Sequence, residues 1–323
     1  MSTQCLAVTL GDPRGIGPEV IKNAVGHLRD QREAANFILV GPNELDPGLG
    51  AYEGIGRFDG TEYSAGVLSA LAVEKAVYLA LAGTVAGIVT GPINKPALRS
   101  VGFEEPGHTE MLQRLTGVSD VGMLMAAEET RLGAPLRVLL ATRHVPLRRV
   151  PDLLSADLLV SQAMLLKSSL EVDWSLTAPR IALCALNPHA SDSGMFGDEE
   201  DRVFRPAVDT LRREGVDVEG PIPADTVFGR TLDGEYDAVI APYHDVGMAP
   251  FKTIAFGTGV NVTLGLPFVR TSPDHGTAFD IVGRGSADAS SMQAAIQMAS
   301  RLAEGRMLKG CGGTAHCTPS TAF

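Results

Sequence analysis

Eight short apolar runs recur along the chain, and helix-like segments separate many of them. The runs are LAVTL (6–10), FILV (37–40), AGIVT (86–90), GMLMA (122–126), LRVLLAT (136–142), IALCAL (181–186), DAVIA (237–241) and VNVTLGL (260–266). Each has strand length rather than helix length. Val67–Leu81 is Ala-rich and free of proline, so it reads as a helix. Pro151–Leu170 carries Leu153, Leu154, Leu158, Leu159 and Met164 at roughly helical spacing, and 198–213 and 288–302 look similar. Strands alternating with helices in this way imply an α/β fold with a largely parallel sheet covered on both faces. There is no internal repeat. The tail after about Arg306 is rich in Gly, Thr and Ser and is expected to be loosely ordered.

Composition narrows the function classes. A chain of 323 residues has room for two domains and a sizeable core. A formal charge of -11 argues against a nucleic-acid partner held by bulk attraction. No uninterrupted apolar run approaches a membrane span, and MSTQCLAVTLGD lacks the basic and long apolar regions of a secretion signal. Cys5, Cys184, Cys311 and Cys317 show no framework spacing; the first two lie in expected strands and read as buried thiols. A reducing cytoplasm fits. Cys311, His316 and Cys317 in the tail are a weak alternative metal set.

Three histidines have matching settings. His144 follows LRVLLAT, His189 follows IALCAL and Asn-Pro, and His244 follows DAVIAPY. If the strands are parallel, all three imidazoles emerge at one edge of the sheet, where α/β proteins bind ligands. Three neutral imidazoles with an open position suit a catalytic divalent metal, zinc first. Magnesium, manganese or cobalt are the alternatives. Asp225 and Asp245 are candidates for orienting ligands or moving protons. The bland reading is three unrelated loop histidines.

Further candidates surround them. Gly107-His108-Thr109-Glu110 opens an expected helix, where backbone N–H groups, a hydroxyl and an imidazole make an anion cradle; otherwise Thr109 is an ordinary N-cap. Lys95, in a Pro-flanked turn after AGIVT, is a carboxylate binder or acid/base group, or simply a solvated lysine. Lys252, Asn261 and Arg270 are polar residues among apolar ones and suit a phosphate and a carboxylate on one small substrate, unless each belongs to a separate surface element. DHGTAFDIVGRG is a glycine-spaced loop able to approach a nucleotide closely. The opening LGDPRGIGPEV is not a dinucleotide fingerprint, because Val20 stands where the third glycine should be.

Taken together, GDPRGIGPEV, TGPINKPAL, PGHTEML, ATRHVPL, ALNPHASDSGMFGDEE, GPIPADTVF, YHDVG and GVNVTLGLPFVRTSPDHGTAFDIVGRG resemble the 4-hydroxythreonine-4-phosphate dehydrogenase family, in order from about Leu6 to about Ser300. DHGTAFDIVGRG also resembles the adenosine-binding loop of the wider isocitrate/isopropylmalate dehydrogenase-like superfamily. The resemblance implies an isopropylmalate-dehydrogenase-like fold, two α/β/α domains with a cleft between them. Residues 1–115 plus 250–323 would form the cofactor-side domain, and 116–249 the metal- and dimer-side domain. It implies a homodimer with the active site at the interface, and His144, His189 and His244 on the metal, some given across that interface. It puts His108, Thr109, Lys252, Asn261 and Arg270 on the substrate, and Gly276, Thr277, Ala278 and Asp280 on NAD, with NADP as the alternative. The implied reaction takes a hydride from a secondary alcohol beside a carboxylated carbon, then loses carbon dioxide. The positioning groups belong to the protein, and the hydride chemistry to the cofactor.

Two departures bear on the substrate. Members of the pyridoxal pathway usually carry a histidine where this chain has Asn94, and a glutamine where it has Val246. TGPINKPAL and FGDEE look closer to relatives that oxidise D-threonate or D-erythronate 4-phosphate. Vitamin B6 synthesis and phospho-sugar-acid catabolism therefore stand nearly equal. A terephthalate-type cis-dihydrodiol comes third, because GHTE, Lys252, Asn261 and Arg270 are intact. From other classes, a catalytically silent metal- or nucleotide-binding regulator and a metal hydrolase are less favoured.

Overall fold

The computed structural model describes residues 4–31, 36–105 and 107–310. Eleven strands form one sheet. The first block of the chain supplies β1 (Cys5–Thr9), α1 (Gly17–Asp30), β2 (Asn36–Gly41), β3 (Ala51–Gly54), α2 (Glu62–Leu81), β4 (Gly87–Thr90), α3 (Lys95–Ser100) and α4 (His108–Thr116). The middle supplies β5 (Gly122–Ala127), β6 (Leu136–Leu140), α5 (Val150–Leu153), α6 (Ala156–Val172), β7 (Ile181–Cys184), α7 (Arg205–Arg213), β8 (Val218–Ile222), α8 (Ala224–Leu232) and β9 (Ala238–Ala241). The last part supplies α9 (His244–Ile254), β10 (Val260–Leu264), β11 (Val269–Pro273) and α10 (Ser290–Gly310).

The strand order is β3-β2-β1-β4-β11-β10-β5-β6-β9-β7-β8. All eight expected strands are present. The sheet is not uniformly parallel, however. β3, β2, β1, β4 and β11 run together, as do β6, β9, β7 and β8. Between them β10 is antiparallel to both β11 and β5, and β5 is antiparallel to β6, so the two parallel blocks point in opposite directions. Strands from 1–115 and 250–323 occupy one side of the β10–β5 junction, and strands from 116–249 the other.

Register decides which side chains share a face. Asn261 pairs with Met125 and Ser272, Thr263 with Met123, and Arg270 with Ile88. Ile88, Thr90, Arg270, Ser272, Asn261, Thr263, Met123 and Met125 therefore line one face. The opposite face carries one continuous core against α1, α6, α7 and α10. The first face carries two separate cores instead. One lies under α2 and α4 and contains Ile88, Met111 and Leu112. The other lies under α8 and α9 and contains Val138, Phe228 and Phe251. The middle strands between those two patches are left without a helix over them.

Local sequence explains where expectation and structure part. The helix expected over 151–170 is broken, and its two pieces bend by 92°. Ser155 starts α6 as an N-cap, its side chain accepting from Leu158 N. The segment 198–213 begins with a wide turn at Glu200–Phe204 before α7. The N-cap of α4 is Gly107, not Thr109, which lies buried in the first turn. The stretch after Arg306 is helical as far as Gly310. Cys184 is buried and Cys5 half-buried; Cys311, His316 and Cys317 lie outside the described residues. Among the described residues α2 alone is long and apolar enough to cross a membrane, and most of it packs inside the fold.

Candidate active site

The gap on the sheet face is a cavity of about 500 Å³. Thr90, Met123, Met125, Asn261, Arg270 and Ser272 lie on its floor. Its walls are the turn Gly91–Lys95, the start of α4 at Gly107–Glu110, Arg143 and His144 after β6, Met248 and Lys252 of α9, and Asp274–Gly276 after β11. Because the two strand blocks run oppositely, Lys95 arrives from the C-terminal end of β4 and His144 and His244 from the C-terminal ends of β6 and β9.

Arg270 dominates the electrostatics. It is 1% exposed, and its Nη1 and Nη2 donate to the hydroxyls of Thr263 (2.9 Å) and Thr90 (2.6 Å). Its Nε has no partner, and among the described residues no carboxylate is bonded to it. Burial pulls its pKa down to about 9, opposed by the charge of Glu110. The guanidinium thus stays charged near neutral pH without a counter-ion in contact, an arrangement that costs several kcal/mol. Three more polar atoms at the same cavity are buried without partners, His108 Nε2, Asn261 Oδ1 and His275 Nε2. Burial, then the charges of Arg270 and Lys95, hold the His108 ring well below its ordinary pKa, so it is neutral. Thr109 is buried beside it. Lys252 is less free, with its Nζ 3.2 Å from the Asp274 carbonyl and 3.6 Å from the Asp274 carboxylate.

At the other end, the rings of His144 and His244 lie 5.5 Å apart, tilted by 45°. His144 has a lowered pKa, from burial first and then the charges of Lys95 and His244, so it too is in the neutral, ligating form. His244 Nδ1 donates to the Asp245 carboxylate at 2.7 Å, which leaves Nε2 as the nitrogen that could meet a metal. These two imidazoles suit a divalent metal. β6, β9 and β7 are adjacent and parallel, so all three histidines do leave the same sheet edge. His189 nevertheless stands apart, exposed on its own loop with Phe196 6.4 Å away, and does not line the cavity. Among the described residues no group of three or more His, Cys, Asp or Glu is arranged to hold a metal. Asp225 is likewise exposed outside the cavity, at the start of α8.

The loop after β11 is held from behind. Ile16 N donates to Thr277 O at 2.9 Å, and Ala278 has a left-handed φ of 43°. Of Gly276, Thr277, Ala278 and Asp280, Gly276 alone lines the cavity. A Cβ on Gly276 would meet no atom within 4 Å, and its φ does not demand glycine. Packing and conformation therefore do not explain this glycine, and the space beside its backbone is open to a ligand. Three titratable wall residues were not singled out from the sequence: Arg143, Asp274 and His275. His275, whose Nε2 is buried without a partner, stands next to Gly276 in a loop the motif already marked.

Comparison with known proteins places the chain in a family. The family model described as pyridoxal phosphate biosynthetic protein PdxA matches residues 27–299. A 4-hydroxythreonine-4-phosphate dehydrogenase of Paracoccus denitrificans is 41% identical, with 93% of this chain and 98% of that protein covered. The crystal structure of a 4-hydroxythreonine-4-phosphate dehydrogenase from Klebsiella pneumoniae superposes with a TM-score of 0.82 at 36% identity, covering 94% of this chain and 98% of that one. A terephthalate 1,2-cis-dihydrodiol dehydrogenase from Burkholderia xenovorans shares the fold at 24% identity and a TM-score of 0.65, over 92% of this chain and 98% of that one. A β-decarboxylating dehydrogenase from Thermococcus kodakarensis shares it at 15% and 0.52, over 96% and 84%. With the family model spanning most of its length, and relatives named as dehydrogenases aligned nearly end to end, the chain belongs to the PdxA family of oxidoreductases.

Proposed function

We propose that this protein oxidises the secondary alcohol of a small 4-phosphorylated hydroxy acid, with NAD and a divalent metal, and that the product loses carbon dioxide. The first candidate substrate is 4-phosphohydroxy-L-threonine, after the activity for which the relatives at about 41% identity are named. One observation carries the reading: Arg270, fully buried on the cavity floor, has no anionic partner among the described residues. A substrate phosphate would supply the missing charge. The neutral His108 ring and the Thr109 hydroxyl stand on the adjoining wall to bind the same group.

Lys95 lies within electrostatic reach of both His108 and His144. That supports a reading in which the reacting carbons would lie between the anion floor and the imidazole pair, with Lys95 as the acid/base group at the hydroxyl. Asn261 offers an unpartnered amide oxygen to the substrate's donors. His144 and His244 would hold the metal, with Asp245 orienting His244. A bound divalent ion would polarise the alcohol and carboxylate oxygens and stabilise the enolate left by decarboxylation. Zinc suits imidazole donors, with magnesium, manganese or cobalt as the alternatives. The third ligand, His189, and Asp225 would come from a second copy in a homodimer, since each lies outside the cavity of its own chain. The backbone from Gly276 to Asp280 would carry NAD, with NADP as the alternative.

A second reading is favoured by Asn94. Its side chain accepts from Ala97 N at 3.0 Å and caps α3, so position 94 offers no titratable group to an amino-acid substrate. That suits D-threonate or D-erythronate 4-phosphate. The test is NADH formation by the metal-loaded protein against 4-phosphohydroxy-L-threonine, both sugar acids and a terephthalate cis-dihydrodiol. Turnover of a phosphorylated acid is expected. Turnover of the dihydrodiol alone would mean that Arg270 meets a carboxylate.

A further inference from the structure

The loop after β7 has a backbone unlike any other described stretch. His189, Ala190, Ser191, Asp192 and Ser193 all have left-handed φ, at 52°, 54°, 71°, 43° and 58°. The other two non-glycine residues with positive φ, Ser175 and Ala278, are isolated. L-residues avoid this region because Cβ crowds the carbonyl oxygen, so a consecutive run of them must be held from outside. The holding group is Glu200, which is 0% exposed. One carboxylate oxygen accepts from Leu186 N at 2.9 Å and Asn187 N at 2.7 Å. The other accepts from Asn187 Nδ2 at 2.9 Å and from the Ser191 hydroxyl. These hydrogen bonds favour the charged form and, against the opposing effect of burial, keep its pKa below the ordinary carboxylate value. No Lys or Arg is paired with it among the described residues, so its bonds serve the loop.

We propose that Glu200 is a positioning residue for His189. Its carboxylate ties the backbone on one side of His189, at Leu186 and Asn187, to the side chain on the other, at Ser191. The imidazole between them is thereby presented in one direction, outward from the sheet edge. The inference rests on reading His189 as a metal ligand, and it adds the group that aims that ligand. Ligand-supporting residues of this kind commonly carry ten- to hundred-fold in metal affinity.

The test is a cobalt(II) titration of the metal-stripped full-length protein in its native oligomer, read by visible ligand-field absorption, with the thermal midpoint of each metal-free variant measured alongside. Glu200→Gln keeps the shape but turns an N–H donor toward the Asn187 amide. It is expected to lower cobalt affinity about ten- to hundred-fold, with the metal-free midpoint near wild type. Glu200→Asp, which keeps the charge, is expected to recover part of the loss. His189→Ala separates the two layers of the argument. If His189→Ala abolishes the spectrum while Glu200→Gln binds cobalt like wild type, the positioning role is wrong and the metal reading stands. If His189→Ala itself binds normally, the metal reading fails and takes the proposal with it. Should Glu200→Gln not fold, Ser191→Ala decides. It removes one of the clamp's bonds, so about a three- to tenfold loss of affinity supports the role and an unchanged affinity overturns it.

Discussion

At the scale of single residues, the site is built around a charge that the fold destabilises itself to keep. Replacing Arg270 with Met removes a buried guanidinium that has only two hydroxyls for company. The expected result is a protein more stable by about 1–4 kcal/mol that no longer turns over a phosphorylated substrate. A lower thermal midpoint for Arg270→Met would show that the Thr90 and Thr263 hydroxyls depend on the guanidinium more than it depends on them. The residue types were legible in the chain, since Arg270, Asn261 and Lys252 stood out as polar among apolar neighbours. Their states were not. Only packing makes His108 neutral, leaves Arg270 without a counter-ion, and pairs Lys252 with Asp274. Nothing in the local sequence encodes the distance to a partner far along the chain.

At the scale of elements, the apolar runs announced eight strands, while β3, β8 and β11 escaped. β3 reads AYEG and is largely exposed, β8 reads VEGPI, and β11 reads VRTSP. Polar, Gly and Pro residues hide all three from a search for apolar periodicity. The missed β11 is the one that carries Arg270 onto the cavity floor. The opening loop shows a different case, a motif that lacks the third glycine of a dinucleotide fingerprint and is tied instead to the loop at 277–280. Asp12 is fully buried and bound by Arg14 at 2.8 Å, and Arg14 lies 5.3 Å from the Phe279 ring. A Cβ on Gly15 would stand 2.9 Å from Thr277 O. Gly15→Ala must therefore push the 277–280 loop away. Overpacking of this sort costs about 1–3 kcal/mol. NADH affinity, measured by fluorescence titration, is expected to fall about tenfold while the affinity for cobalt is unchanged. Equal affinity for NADH would detach that loop from the cofactor.

At the scale of the whole molecule, a reversal of strand direction across β10 and β5 accompanies the opening of the cavity. One face is sealed by α1, α6, α7 and α10, while the other is covered in two patches with the cavity between them. If His189 serves the cavity of a second copy, two inactive variants should rescue each other. Mixing His189→Ala with His144→Ala under conditions of subunit exchange forms hybrids with one intact site each, so activity is expected to return to about a quarter of wild type. No recovery, with exchange verified by mass, would place His189 in its own chain's site. The sequence alone determined the layered α/β class, the strand ends that carry the histidines, and the chemical types of the groups that line the cavity. These follow from local periodicity and turn chemistry, which act over a few residues. The tertiary structure alone decided that Met125, Asn261 and Ser272 share a face, that His144 meets His244 while His189 stands apart, and that Glu200 locks the loop bearing it. Those outcomes depend on strand order, direction and register. They arise from long-range packing, which short stretches of sequence do not record.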